Sequence, residues 1–161
     1  MIFAQDGYHL GAGDGDSWWF LDTRMTVKVG AEQSRGAFTL IEWSAPVGFG
    51  PPRHVHEQED EAFYVLEGKM MVVCGSKTWE ASTGSLVFLP RGIEHAFIVL
   101  GDAPIRGLQI TNPAGFEDFV AEMGRRPETQ GLPTQQMPDI ARLNEAGLRR
   151  GSPTVGPPLS L

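Results

Sequence analysis

The sequence predicts an all-β protein, a sandwich or barrel of short antiparallel strands. The 161 residues include 20 glycines and 12 prolines, about a fifth of the chain, a composition that favours frequent turns over long helices. Short β-rich runs recur between glycine, proline, asparagine and aspartate residues. A helical period begins only after Pro113, so neighbouring strands are expected to pair antiparallel across tight turns.

The strands are predicted in order along the chain. A polar, glycine-rich N-terminal arm, residues 1–17, precedes them and has the composition of a plain loop. Over residues 24–29, charged or polar residues alternate with apolar ones, which is the period of a half-buried strand. Further strands are predicted at residues 37–44, 63–66, 70–74, 78–81, 86–89, 96–100 and 105–111. The strands thus define a single barrel domain over residues 18–112.

Residues 113–161 are predicted to be a helical segment and a tail. Phe116, Phe119, Val120 and Met123 recur at helical spacing, so this helix should dock its apolar stripe on the barrel or on a partner subunit. A weaker helical pattern runs over residues 139–148 from a candidate aspartate cap. The last ten residues show no periodicity and are expected to be loosely held.

Charge and composition exclude several classes of protein. The 13 basic and 20 acidic residues give a net charge of −7, the wrong sign for binding nucleic acid or an anionic membrane. Cys74 is the only cysteine, which excludes an intrachain disulfide and a cysteine-rich zinc site. No secretory signal and no apolar run of about 20 residues is present. We therefore expect a soluble, cytoplasmic protein without a nucleic-acid or membrane partner.

Three of the four histidines lie in two clusters with the chemistry of a metal site. His54 and His56 are two residues apart, so in a strand both side chains leave the same face. An acidic run at residues 57–61 follows them, and His95 lies farther along. Imidazoles with one carboxylate suit a divalent transition metal. A solvated acidic turn with two surface histidines is the alternative that this local pattern leaves open.

Wider spacing connects these residues to two glycine-bounded motifs. The first consists of Gly48, His54, His56, Glu61 and Gly68, and the second of Gly84, Pro90, Gly92 and His95. With these offsets the sequence resembles the cupin superfamily. The resemblance departs at residues 97–100, where Phe-Ile-Val-Leu stands in place of the usual asparagine after the last histidine.

The resemblance implies a single-domain double-stranded β-helix, or jelly-roll barrel, with a short C-terminal helical segment. It also implies one bound divalent transition metal, either Fe, Mn, Ni, Co, Cu or Zn, held by His54, His56, Glu61 and His95. Glu59 and Asp60 are alternatives to Glu61, which is preferred because it keeps the six-residue gap to Gly68. Gly68 and Gly92 are expected at tight reversals where glycine tolerates a positive φ.

Strand alternation predicts the wall around this metal. Counted from Glu61 and from His95, alternate residues place the side chains of Phe63, Val65, Phe97 and Val99 on the interior face. These four apolar residues are the predicted substrate pocket, and a small molecule is the predicted partner.

A narrower resemblance, to small bacterial single-domain cupins similar to quercetin (flavonol) 2,3-dioxygenases, is carried by residues 51–56, 60–68, 87–92 and 112–119. It implies a metal-dependent oxygenase of an aromatic or enolic small molecule, with Glu61 as ligand and catalytic base. A cupin isomerase or cyclase is the close alternative, since a metal that stabilises an enolate does not choose between oxygen addition and proton transfer. The second alternative is a non-catalytic cupin that binds a small ligand or a metal. A homodimer is expected, because it would cover an exposed edge strand and the apolar helix.

Overall fold

The computed structural model describes residues 6–135 and 139–160. The strands are β1 Asp16–Phe20, β2 Thr23–Val29, β3 Thr39–Ala45, β4 Pro52–His54, β5 Asp60–Glu67, β6 Lys69–Cys74, β7 Lys77–Ser82, β8 Leu86–Leu89, β9 His95–Leu100, β10 Ile105–Asn112 and β11 Thr154–Pro158. The helices are α1 Ala31–Ser34, α2 Phe116–Met123 and α3 Ile140–Arg149.

The described strands form two antiparallel sheets. One has the order β1-β2-β3-β10-β5-β8, and the other has the order β11-β4-β9-β6-β7. Strands distant in sequence lie side by side, as β10 does between β3 and β5. This arrangement is a jelly roll, so the predicted all-β double-stranded β-helix is confirmed. The short helices follow the barrel, except α1, which connects β2 to β3.

Aromatic side chains fill the space between the sheets. The rings of Trp43, Phe63 and Phe97 lie 5.4 Å apart, centroid to centroid, in every pairing, and they come from β3, β5 and β9. Trp43 packs against Gly107 of β10, where a Cβ would lie 3.1 Å from the indole Nε1 and 2.9 Å from a backbone oxygen. A glycine at this position therefore lets the largest side chain of the core approach the strand closely.

The motif glycines occupy the predicted reversals. Gly68, between β5 and β6, has a φ of 83°, and Gly92, just before β9, has a φ of 78°. Both conformations lie in the left-handed region, which a side chain with a Cβ rarely adopts. The spacing of the two motifs thus reflects where the chain must turn.

The two predicted helices are confirmed as α2 and α3. The rings of Phe116 and Phe119 in α2 contact Phe20 of β1, at centroid distances of 6.3 and 5.4 Å. The apolar stripe of α2 is therefore covered by the barrel of its own chain. Asp139 caps α3, because its side chain accepts a hydrogen bond from the Arg142 backbone N–H at 3.0 Å. The homodimer stays a prediction.

Both ends of the described chain are tied to the barrel. The prediction that the last ten residues are loosely held is wrong, since Thr154–Pro158 forms β11 and pairs with β4. This strand has no alternating pattern because it contains a glycine and two prolines, and it depends on a partner strand distant in sequence. At the other end β1 begins at Asp16, inside the predicted arm, and the Tyr8 hydroxyl donates to the Lys28 carbonyl at 2.5 Å. Among the described helices, none has the length and apolar character required to cross a bilayer.

Candidate metal centre

Four side chains from both sheets meet in the barrel interior. His54 ends β4, His95 begins β9, His56 follows β4, and Glu61 lies on β5 of the opposite sheet. One ligand atom from each of the four lies within 4.8 Å of the others. The structure thus brings together all four residues of the predicted ligand set, and the alternative of two surface histidines in a solvated turn is wrong.

Strand pairing explains why these residues converge. His54 and His95 are direct cross-strand partners of the antiparallel β4–β9 pair. The His56 carbonyl accepts a hydrogen bond from the Gly92 N–H at 2.7 Å, which fixes the loop after β4 next to the turn that leads into β9. Glu61 faces them from β5, where it pairs with Leu89 on one side and Thr111 on the other.

The outer ring nitrogens establish which atoms are free to bind a ligand. Nδ1 of His54 lies 2.7 Å from the Pro52 carbonyl, and Nδ1 of His95 lies 2.9 Å from the Ile93 carbonyl. A carbonyl oxygen can only accept, so each Nδ1 carries a proton, and Nε2 is the ring nitrogen left to bind a ligand. Within the described residues, the buried Nε2 atoms of His56 and His95 have no hydrogen-bond partner.

Those Nε2 atoms converge on one carboxylate oxygen. Oε2 of Glu61 lies 3.4 Å from Nε2 of His95 and 3.8 Å from Nε2 of His56, and all three side chains are at most 4% exposed. Unshared lone pairs at these distances repel unless a positive charge lies between them. Three imidazoles and one carboxylate are the donor set of a divalent first-row transition metal, so these residues fit such an ion.

The protein around the cluster shifts the pKa values of three of its residues in different directions. Burial and the neighbouring His95 and His56 lower the pKa of His54 to about 4, which keeps this ring neutral. Burial alone would raise the pKa of Glu61, but contact with His95 and the charges of the histidines lower it to about 2. Glu61 is therefore a carboxylate. Burial opposes protonation of His56, yet the hydrogen bond to Glu59 and the charge of Glu61 raise its pKa above 6.5.

An apolar cavity of about 90 Å³ adjoins the cluster. Its aromatic lining consists of Phe20, Trp43, Phe49, Phe63, Phe97, Phe116 and Phe119. Of the four predicted pocket residues, Phe63 and Phe97 lie on this wall. The structure places Val65 and Val99 in the fully buried core, outside the cavity lining. The interior face was predicted for all four, but the cavity adjoins only part of that face.

Three further polar residues surround the cluster: Glu59, which was an alternative to Glu61 as a ligand, and Gln109 and Ser152, which the sequence did not single out as site residues. Nε2 of Gln109 donates to Oε1 of Glu61 at 2.5 Å. Nδ1 of His56 lies 3.0 Å from both the Ser152 hydroxyl and Oε1 of Glu59. Gln109 stands at an inward position of β10, where a polar residue is a signal of function. Ser152 gives no such signal, because it lies 96 positions from His56.

The C-terminal segment also closes the cavity. Leu143 and Gly147 of α3, Ser152, and Thr154 at the start of β11 contribute to the lining. The chain after the barrel is therefore part of the site, a role that its sequence pattern does not indicate.

Comparison with known proteins agrees with this geometry. Residues 41–111 match the family model described as Cupin domain. Over 117 residues the chain is 25% identical to quercetin 2,3-dioxygenase of Bacillus subtilis. The matched stretch covers 73% of this chain and 34% of that protein. It is 27% identical over 75 residues to an uncharacterized protein of Methanocaldococcus jannaschii, covering 47% of this chain and 60% of that protein. The chain thus spans about one third of the length of the dioxygenase and about three fifths of the length of the M. jannaschii protein.

Solved structures show the same fold. KdgF from Halomonas sp. superposes with a TM-score of 0.60 at 14% identity, covering 71% of this chain and 99% of that one. The polyketide cyclase RemF from Streptomyces resistomycificus superposes with a TM-score of 0.57 at 25% identity, covering 66% and 80%. These likenesses show the fold of the chain, and the matched domain covers residues 41–111 of it.

Proposed function

We propose that this protein is a metal-dependent enzyme that acts on an aromatic or enolic small molecule. One observation carries the proposal: buried, unpartnered Nε2 atoms of His56 and His95 meet the Glu61 carboxylate beside a cavity walled by aromatic rings. Polar atoms left unpaired in an apolar interior are costly, so their cluster calls for a ligand. The adjoining rings fit a planar, largely apolar substrate.

The roles of the residues follow from their positions. His54, His56, Glu61 and His95 would hold the metal, which when bound supplies Lewis acidity to an enol or phenol oxygen. Phe63 and Phe97 orient a ring and exclude water from the cavity. Glu61 is ionised and faces the cavity, so it is the proposed base that takes the proton of the substrate hydroxyl at a carboxylate oxygen. Gln109 keeps the other oxygen of Glu61 occupied.

Oxygen addition is the reaction we favour. Its support is the 25% identity with quercetin 2,3-dioxygenase over 73% of this chain, together with the aromatic wall. A cyclase reaction is the second candidate, supported by the likeness to the polyketide cyclase RemF at 25% identity. Both reactions would begin with removal of a proton from an activated oxygen or carbon of the substrate. The same metal and base could serve either reaction.

Dioxygen uptake separates these candidates. Metal-loaded protein is given a panel of flavonols and other enolic aromatics in air and under anaerobic conditions, with the double variant His54→Ala and His56→Ala as the matched control. Oxygen consumption coupled to substrate loss supports the oxygenase. Conversion that proceeds equally without oxygen supports the cyclase or isomerase. Tight binding without conversion contradicts an enzyme and leaves a small-ligand-binding protein.

A further inference from the structure

We propose that Glu59 is a positioning residue of the metal centre, which holds the ring of His56 and supplies the second negative charge of the buried site. This inference rests on the proposed metal site. Glu59 was an alternative to Glu61 as a direct ligand, but the structure places its carboxylate on the opposite side of the His56 ring from the cluster.

Each end of the His56 ring faces a buried carboxylate. Nδ1 lies 3.0 Å from Oε1 of Glu59, while Nε2 lies 3.8 Å from Oε2 of Glu61. Glu59 is 8% exposed, and its ion pair within the described residues is with His56. Because a carboxylate only accepts, it fixes a proton on Nδ1, and Nε2 is then the nitrogen left to bind a metal beside Glu61.

The other two histidines are held differently. Backbone carbonyls of Pro52 and Ile93 hold Nδ1 of His54 and of His95. His56 is thus the one ligand of the three whose orientation depends on side chains. It is also the one whose outer partner carries a full charge, and a charged acceptor makes an imidazole a stronger electron donor to a metal.

Charge balance gives Glu59 a second effect. With three neutral imidazoles, a divalent ion and the two carboxylates of Glu59 and Glu61 sum to a formal charge of zero. Removal of the Glu59 charge would leave a net positive charge in an apolar interior, where an uncompensated charge is strongly disfavoured. Glu59 therefore favours the loaded state by attraction as well as by orientation.

Ser152 completes the hold on His56 from the C-terminal segment. Its hydroxyl lies 3.0 Å from Nδ1, and the residues beside it are tied to the loop after β4 by two backbone bonds. These are Glu57 N–H to the Gly151 carbonyl at 2.7 Å and Val55 N–H to the Pro153 carbonyl at 3.1 Å. A neutral hydroxyl orients the ring but adds no charge, so its loss should cost less than the loss of the Glu59 charge.

The test measures Co²⁺ affinity by chelator competition in the full chain, with the visible absorption of bound Co²⁺ as a second readout. We expect Glu59→Gln to weaken Co²⁺ binding about 10- to 100-fold and to shift the absorption bands, because His56 becomes a weaker donor. Ser152→Ala should weaken it by less than about 10-fold. Glu57→Gln is the matched control: it removes the same charge from an exposed side chain two residues away and should change affinity by less than about 2-fold.

Several outcomes decide the inference. Affinity and absorption of Glu59→Gln equal to those of Glu57→Gln would overturn it while the proposed metal site stands. A wild-type protein that does not bind Co²⁺ would overturn the metal site and the inference together. Circular dichroism of the metal-free variants checks folding. Should Glu59→Gln fail to fold, Glu59→Asp, which keeps the charge, should retain more affinity than Glu59→Ala; equal losses would overturn the charge argument.

Discussion

The half-buried carboxylate of Glu117 and the buried carboxylate of Glu61 have very different hydrogen-bond partners. Both oxygens of Glu117 accept hydrogen bonds from protein donors: Oε1 from the Ala31 N–H at 2.5 Å, and Oε2 from the Gly115 N–H at 2.9 Å and from the Thr39 hydroxyl. These bonds join α1, β3 and the start of α2. Glu117 is thus a closed structural site.

Glu61 accepts one comparable bond, from Gln109, at Oε1. Its Oε2 instead faces imidazole nitrogens that present lone pairs at 3.4 and 3.8 Å. The chemistry of the side chain is the same in both places, but in the described part of the chain the Glu61 site holds buried ring nitrogens without a hydrogen-bond partner. The two sites therefore differ in burial and in the completeness of their hydrogen bonding, and the incomplete site is the one that fits a ligand.

The largest expected effect tests the open site. The double variant His54→Ala and His56→Ala should reduce bound first-row divalent metal from about one equivalent to less than about a tenth, because two of four donors are lost. Metal content after dialysis, measured by elemental analysis, checks this. Glu117→Ala is the comparison variant and should keep full occupancy. Retention of metal by the double variant would contradict the proposal that these residues form a metal centre.

The closed site should respond in stability instead. Glu117→Ala should lower the free energy of unfolding by about 2 kcal/mol, because the Ala31 N–H and the Thr39 hydroxyl lose a charged acceptor. Urea denaturation of the metal-free protein provides the measurement. The same variant should bind metal with unchanged affinity. A large loss of metal affinity would show that Glu117 and Glu61 are coupled, and it would contradict a purely structural role for Glu117.

Acid should weaken the closed site in a defined pH window. Burial raises the pKa of Glu117, but hydrogen bonds from Thr39, Ala31 and Gly115 outweigh it and hold the pKa below 4.5. A lowered folded-state pKa gives stability that is complete above pH 4.5 and is lost as the pH falls through the lowered value. The difference in urea midpoint between the metal-free wild type and Glu117→Gln should therefore shrink from about pH 7 to about pH 3. A difference that stays constant would contradict this origin.

The smallest expected effect concerns an isolated unpaired atom. The buried Nε1 of Trp43 has no hydrogen-bond partner among the described residues, and it packs against Gly107 on the cavity wall, outside the four-residue cluster. Trp43→Phe should cost about 1 kcal/mol of unfolding free energy, since lost packing is partly offset by removal of an unpaired N–H. Thermal denaturation and metal affinity measure this, and the affinity should not change. A clear drop in affinity would assign the indole to the metal site.

Local patterns in the sequence were sufficient for most of the architecture. Alternating polarity located β2, and β-rich runs between turn residues located seven further strands. Glycines at positions 68 and 92 located the reversals, because positive φ is a property of a few neighbouring residues. The four residues of the candidate metal cluster were also predictable. Metal binding limits the candidates to a few residue types, and the resemblance of the motif spacing to a known family selected these four.

The tertiary structure alone decided which atoms complete the site. It placed Glu59 behind His56, brought Ser152 and the strand Thr154–Pro158 against β4, and left Val65 and Val99 outside the cavity. These outcomes depend on pairings between residues up to about a hundred positions apart and on where the barrel is wide enough to leave space. No periodicity within one segment records such contacts, since each is set by the packing of both partners at once.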